Sequence, residues 1–301
     1  MKSIAIILSF LVVVPLWGQK VLILKSKNLT IYDKVVTGFL INAKVKADIV
    51  SLDSEKPEDV LTKINNYSLV FAIGNKALNI AVKQKSKPVI FSMVLNHKKF
   101  NVDKEKITGI KMKLSAKTQL GVISSLFSGN RVGIVQSNLK TEEEIDSYQQ
   151  IASIFSLELV RIKVDSSNSL AKSLEKNKNK IDVLWMLPDK AILNPKSYNV
   201  LTKFAIQNNK PLYVLSGGLV GKGGLISLTP DYVSVGKQAA LISNKVLTGN
   251  VPLKFIPITD PDSYTLVVNY SVANRIKILK KLAPKLLKFS ATKGFPINAV
   301  E

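Results

Sequence analysis

The chain contains no cysteine and only one histidine, His97, among its 301 residues. The lack of cysteine excludes disulfides, cysteine-ligated zinc, a cysteine nucleophile and a lipid-attachment site. With one histidine, a catalytic pair or metal cluster made of several histidines is excluded too. His97 lies in a polar stretch with Asn96 and Lys98, where a solvated histidine and a proton-transfer group are both open interpretations. We therefore expect no enzyme, no metal site and no cofactor.

Arginine is also scarce, since Arg131, Arg161 and Arg275 are the only three. The formal net charge is nevertheless +22, from 43 basic and 21 acidic residues, and such a charge would suggest nucleic-acid binding. Phosphate clamps and base recognition favour the rigid guanidinium fork of arginine. Because the basic residues here are nearly all lysine, we expect no nucleic-acid partner.

The first 18 residues resemble an export signal. Lys2 precedes an uncharged stretch whose apolar part, residues 4–16, is shorter than the roughly 20 residues that cross a bilayer. This pattern predicts a signal peptide cleaved after Gly18. Leu16, near the cleavage site, is larger than such sites prefer, so an uncleaved membrane anchor is the alternative. No later apolar run is long enough to span a membrane. We therefore expect a monomeric protein of the periplasm that is exported and not lipidated.

Short aliphatic runs alternate with amphipathic stretches from residue 21 to residue 215, a pattern typical of β-α-β units around a parallel sheet. Strands are predicted at 21–24, 49–52, 69–73, 88–91, 132–135, 157–162, 183–187 and 211–215. Three segments recur in order: 21–26 matches 132–137, 69–77 matches 183–191, and 87–92 matches 210–216. The repeat predicts two similar Rossmann-like α/β lobes with parallel central sheets. The alternative is that the matched segments are alike only because all βα units share this pattern.

In such lobes a ligand binds beyond the carboxyl ends of the strands. The residues expected there are mostly short and polar. They are Ser26, Asn28, Tyr32, Asn75, Lys76, Ser137, Asn138, Asp189, Ser216 and Gly217. This set suits hydrogen bonding to a small zwitterion, with backbone N–H groups for a carboxylate and Asp189 for an amine. Asp189 and Asn75 would equally serve as helix N-caps.

Several stretches carry a family resemblance. They read DVLWMLPDK at 182–190, SGGLVGKGGLI at 216–226, TPDYVSVGKQAA at 229–240, VLTG at 246–249 and VVNYSVA at 267–273, with ITGIKM upstream at 107–112. Together they resemble the ABC transporter substrate-binding family of the tryptophan- and tyrosine-binding kind. After the fourth strand this chain reads SMVLN at 92–96, where relatives commonly carry a threonine-aspartate-proline sequence, so one ligand-facing loop differs.

The resemblance implies a type I periplasmic-binding fold, with two lobes joined by a three-crossing hinge. It assigns residues 19–112 plus 229–255 to lobe one and residues 113–228 plus 256–301 to lobe two. It also implies that a small polar or aromatic amino-acid-like ligand is captured in the cleft between the lobes. We expect a solute-binding component of an ABC importer whose partner is an inner-membrane ABC permease. The alternative is a two-lobe ligand-sensing protein that signals occupancy to a membrane partner.

The C-terminal segment from Arg275 to Lys293 carries basic residues and no acid, together with a stripe of apolar residues. A helix that packs on the last lobe and a helix that lies on an anionic membrane surface both fit this pattern.

Overall fold

The computed structural model describes residues 18–137, 142–165, 168–189, 192–249 and 251–300. Residues 1–17 of the expected signal peptide and the expected site residue Asn138 lie outside the described residues. The chain divides into two compact units. Lobe one consists of the described residues within Met1–Met112 and Tyr232–Asp260. Lobe two consists of the described residues within Lys113–Asp231 and Pro261–Glu301.

Strands and helices alternate along most of the chain. The strands are β1 (Lys20–Lys25), β2 (Lys46–Ser51), β3 (Leu69–Ile73), β4 (Val89–Val94), β5 (Ile107–Lys111), β6 (Arg131–Gln136), β7 (Glu158–Lys163), β8 (Val183–Trp185), β9 (Leu212–Tyr213), β10 (Ile226–Pro230), β11 (Tyr264–Asn269) and β12 (Ile297–Val300). The α-helices are α1 (Thr30–Asn42), α2 (Pro57–Ile64), α3 (Asn75–Ala81), α4 (Ala116–Leu126), α5 (Glu142–Ser153), α6 (Leu170–Asn177), α7 (Pro195–Gln207), α8 (Gly217–Val220), α9 (Tyr232–Leu247), α10 (Tyr270–Arg275) and α11 (Leu279–Lys293).

The sheet of lobe one has the strand order β2-β1-β3-β4-β5, and all its strands are parallel. β3 is buried at every position because helices cover both faces of the sheet, as aliphatic runs without alternation require. Val21 and Ile23 lie in the core on one face, and Leu22 and Leu24 lie in the core on the other.

Helices α1 and α9 of lobe one pack backbone against backbone. A Cβ built on Gly38 would lie 2.0 Å from the Val233 carbonyl oxygen, and one built on Gly236 would lie 1.9 Å from that of Val35. Neither position has room for a side chain, so each glycine is required by the close approach of the other helix. This contact fixes the late segment of the chain, α9, onto the first lobe.

The sheet of lobe two has the order β12-β11-β10-β9-β8-β6-β7. Five of its strands, β7-β6-β8-β9-β10, repeat the order β2-β1-β3-β4-β5 of lobe one, which confirms the prediction of two similar Rossmann-like lobes. The central strands of both sheets are parallel, as predicted, and in lobe two β11 adds an antiparallel pairing with β10. The chain leaves lobe two after β10 and returns beside the same end of that strand, so β11 runs in the opposite direction.

The observed lobe boundaries differ from those that the resemblance implied. Residues 229–231 belong to lobe two because Thr229 and Pro230 pair in register with β11. Residues 256–260 belong to lobe one because the backbone N–H of Thr259 donates to Gly109 and its carbonyl accepts from Lys111, both at 3.0 Å or less. Backbone pairing, which the sequence pattern did not reveal, sets both crossings.

The basic C-terminal segment forms α10 and α11, and α11 packs on lobe two. Leu282, Leu286 and Phe289 of α11 are buried in the core of that lobe. No helix among the described residues is both long and apolar enough to cross a membrane.

Candidate functional site

In lobe one, Ser26 links the ends of two neighbouring strands. It follows β1, is buried, and its Oγ accepts a 2.8 Å hydrogen bond from the backbone N–H of Ala77 in α3. The N-cap residue of α3 is Gly74, with φ 92°, and it supplies no capping side chain. Ser26 therefore takes the capping role from the adjacent strand. The N-cap alternative for Asn75 is wrong, because Asn75 is the first helical residue and, like Lys76, is exposed.

Tyr32 and Ser26 meet over Gly74. A Cβ built on Gly74 would lie 2.5 Å from the Tyr32 hydroxyl oxygen and 2.7 Å from Ser26 Oγ, so glycine is needed there for space as well as for its positive φ. Burial raises the pKa of the half-buried Tyr32 phenol. Asn28 lies further out, on an exposed loop, where its backbone N–H donates to Asp53 Oδ2 at 2.7 Å.

In lobe two, Ser137 and Asp189 form a buried pair. The Ser137 hydroxyl donates to Asp189 Oδ1 at 2.8 Å, and the Ser137 backbone N–H donates to Asp189 Oδ2 at 3.0 Å. Each residue is only 3% exposed. Asp189 does not cap α7, since that helix begins at Pro195 and Asn194 Oδ1 accepts from its first turn at 2.9 Å.

The two serines occupy equivalent positions in the repeated lobes. Ser26 follows β1 and bonds to the segment after β3, while Ser137 follows β6 and bonds to the segment after β8. In each lobe these two strands are neighbours. The internal repeat thus extends to hydrogen bonds at the carboxyl edge, but among the described residues only lobe two has a buried carboxylate there.

Ser216 and Gly217 lie at the start of α8, in the glycine-rich stretch after β9. Ser216 is the N-cap residue, and its carbonyl accepts from Leu219 at 3.0 Å. Asn269, which is buried, donates from Nδ2 to the Val220 carbonyl at 3.2 Å and accepts from the backbone of Val272 at 2.8 Å. Asn269 thereby ties α8 to the start of α10, a positioning role that the sequence pattern did not indicate.

Ser92, at the carboxyl end of β4, was also missed. It is fully buried, and its Oγ has no hydrogen-bond partner among the described residues. The next residue, Met93, has φ 59°, at an irregularity in the pairing of β4 with β5. A buried hydroxyl without a hydrogen-bond partner, next to a non-glycine residue in the left-handed conformation, is a feature often found at binding sites. The departure from the family pattern at 92–96 was the signal that pointed to this segment.

His97 lies just beyond this segment. Its ring stacks on Phe91, with centroids 5.4 Å apart. Burial, followed by the charges of Lys111 and Lys98, lowers the pKa of His97. Within the described residues, no group of three or more metal-ligating side chains is placed to hold a metal ion.

Comparison with known proteins gives consistent matches. A family model described as ABC transporter substrate binding protein matches residues 42–292. A Clostridioides difficile protein named Tyrosine-binding protein is 22% identical over 266 residues, which are 84% of this chain and 76% of that protein.

Two solved structures share the fold at low identity. The ligand-free, open structure of a substrate binding protein with adhesive properties from Clostridium difficile has a TM-score of 0.75 at 17% identity, covering 94% of this chain and 100% of that chain. An ABC domain from Streptococcus pneumonia in complex with L-Trp has a TM-score of 0.56 at 20% identity, covering 89% and 98%. These likenesses show two α/β lobes of the type I periplasmic-binding kind.

Proposed function

Because the chain belongs to the ABC transporter substrate-binding protein family, we propose that it binds an aromatic amino acid and delivers it to an inner-membrane ABC permease. The family is a class of binding proteins, not of enzymes. The proposal includes export to the periplasm by a cleaved signal peptide and a monomeric state. The choice of an aromatic amino acid is supported by one relative named for tyrosine and one that holds L-Trp.

The observation that carries this function is the buried Ser137–Asp189 pair at the carboxyl edge of lobe two. Asp189 is 3% exposed and accepts two hydrogen bonds from Ser137, which hold its carboxylate in one orientation. An ammonium group of a ligand is the natural donor for a carboxylate kept in such a place.

The carboxyl edge of lobe one carries hydroxyl groups that can donate hydrogen bonds. Ser26 Oγ accepts from the Ala77 backbone, and a hydroxyl that accepts one bond still has a proton to donate. Ser92 Oγ is buried without a partner among the described residues. Two hydroxyls with donor capacity suit a ligand carboxylate. The neighbouring Tyr32 and Met93 side chains are half-buried and offer apolar surface and sulfur contact to an aromatic ring.

The test is calorimetry on the mature protein with tyrosine and two analogues. Tyramine lacks the carboxylate, and 3-(4-hydroxyphenyl)propionate lacks the amine. We expect tyrosine or tryptophan to bind, and each analogue to bind at least about tenfold more weakly, since each loses a charge-assisted hydrogen bond of about 1.5–3 kcal/mol. Equal binding of tyrosine and both analogues would contradict recognition of the zwitterion.

A second experiment addresses delivery. Deleting the gene should abolish uptake of radiolabelled ligand by the cells, as expected for an importer component. Normal uptake together with a lost transcriptional response to the ligand would instead favour the sensing alternative.

A further inference from the structure

Lobe two has a cavity of about 220 Å³ at the edge of its sheet opposite to Ser137 and Asp189. Ser128 of its wall precedes β6, Asp182 precedes β8 and Pro211 precedes β9, so these wall residues lie at the amino ends of the strands. Helix α11 closes the other side. The cavity therefore belongs to a region that the proposed ligand site does not use.

Three lysines line this cavity. They are Lys210, which precedes β9, and Lys281 and Lys285, which lie one turn apart on the same face of α11. Lys210 and Lys285 are half-buried. The remaining wall is partly apolar, with Leu126 and Leu282 buried in it.

The one acidic residue in the wall, Asp182, is already neutralised. Arg131 donates to its two oxygens from Nη2 at 2.7 Å and from Nε at 3.1 Å, and the Arg131 backbone N–H adds a third bond at 3.1 Å. This bonding lowers the pKa of Asp182. The three ammonium groups therefore face no unpaired carboxylate among the described lining residues.

Lys210 and Lys285 also have N–H donors that their hydrogen bonds within the protein do not use. Lys210 Nζ donates to the Ile181 carbonyl at 2.8 Å, and Lys285 Nζ donates to Ser128 Oγ at 3.2 Å. Because an ammonium has three N–H donors, each of these lysines retains two. The segment from Arg275 to Lys293 contains no acid to balance them.

We propose that this cavity binds a phosphate group. Like charges gathered in a concave, partly apolar site repel one another, and an anion with up to two charges relieves that repulsion better than a monocarboxylate. Lysine binds phosphate as a point charge without needing a planar partner. The cavity volume of about 220 Å³ is several times the roughly 30 Å³ that one water molecule occupies in the liquid. The phosphate is that of a free anion or of an anionic phospholipid headgroup.

The first arm of the test uses inorganic phosphate. The mature protein, from Gln19 onward, is titrated with phosphate and, at equal ionic strength, with chloride. The melting temperature and the heat of binding are recorded for each anion. We expect phosphate alone to raise the melting temperature and to show saturable binding. Lys281→Gln and Lys285→Gln should each weaken it about tenfold or more. Lys280 and Lys288 lie on the same helix but do not line the cavity. Lys280→Gln and Lys288→Gln each remove the same charge and should leave the affinity for phosphate within about twofold of that of the unmodified protein.

The second arm uses vesicles of phosphatidylcholine with and without one third phosphatidylglycerol. Co-sedimentation only with phosphatidylglycerol, lost in Lys281→Gln and Lys285→Gln but kept in the two controls, assigns the phosphate to a lipid headgroup. Saturable binding of inorganic phosphate with the same variant pattern assigns it to a free anion. The proposal is overturned by binding in neither arm, or by controls that weaken binding as much as the cavity variants. Because ligand binding at Asp189 is measured separately, its failure leaves this result unaffected.

Discussion

Replacing Asp189 by asparagine tests whether this buried carboxylate is held ready for a ligand amine. The substitution keeps the shape of the side chain but exchanges one oxygen for an NH₂ group and removes the charge. Both oxygens of Asp189 accept from Ser137, at 2.8 and 3.0 Å. The amide oxygen can still accept from the Ser137 backbone N–H, while the NH₂ group donates to the Ser137 hydroxyl oxygen, so both contacts persist but lose the charge.

The magnitude follows from the burial of the pair. Hydrogen bonds to a charged group contribute about 1.5–3 kcal/mol each, whereas bonds between neutral groups contribute about 0.5–1.5 kcal/mol, and two bonds lose the charge here. With Asp189 only 3% exposed, solvent does not compensate for the loss. We expect Asp189→Asn to lower the free energy of unfolding by about 2–3 kcal/mol and to weaken binding of an amino acid roughly 10- to 150-fold.

Ser137→Ala is the matched control. It removes the hydroxyl donor but leaves the backbone N–H bond and the carboxylate charge in place. We expect a loss of about 1.5–3 kcal/mol in unfolding free energy, as for a hydrogen bond to a charged group, and only a few-fold change in affinity. The assays are urea unfolding and calorimetry, the latter with the amino acid and with its deaminated analogue.

The analogue separates the two roles of Asp189. If the carboxylate contacts the ligand amine, Asp189→Asn weakens the amino acid but leaves the affinity for the deaminated analogue nearly unchanged. An equal loss for both ligands would mean that Asp189 acts only through the structure of lobe two. Unchanged stability would refute the role assigned to its bonds with Ser137.

Three further predictions concern lobe one. Gly236→Ala places a Cβ 1.9 Å from the Val35 carbonyl oxygen, so it should cost about 3 kcal/mol or more in urea unfolding, whereas Gly218→Ala, with no atom within 4 Å, should cost little. Ser92→Ala removes a buried unpaired hydroxyl and should not lower the melting temperature, yet it should weaken the ligand about tenfold in calorimetry; unaltered affinity would exclude the contact. The lowered pKa of His97 means that the unfolded chain binds its proton more readily, so stability should fall as pH drops below about 6.5, and His97→Gln should show less of this fall in unfolding curves at pH 5 and 7.5.

The sequence by itself determined the strands and the presence of two similar α/β lobes. Aliphatic runs such as 69–73 and 183–187 predict strands because a parallel sheet covered on both faces needs apolar residues at every position. The recurrence of three βα segments then predicts a second lobe of the same kind. Local periodicity and repetition are properties of neighbouring residues, which is why they are visible without a structure.

Only the tertiary structure decided which residues meet at the edges of the sheets. Asp189 is bonded to Ser137, and Ser26 to Ala77, because β6 lies beside β8 and β1 beside β3. The burial of Ser92 depends likewise on its neighbours in the sheet. Local patterns give no sign of such partners, since about fifty residues separate the two members of each pair.

The lysine-lined cavity and the exact lobe crossings also depended on tertiary structure. A run of lysines on a helix has the same appearance in sequence whether its charges spread into solvent or gather around a cavity. Lys210 joins Lys281 and Lys285 only because α11 packs across the amino ends of the strands in lobe two. The sequence determined which segments are strands and helices because that choice is local, whereas the charges and hydrogen-bond partners of each site come from segments far apart in the chain.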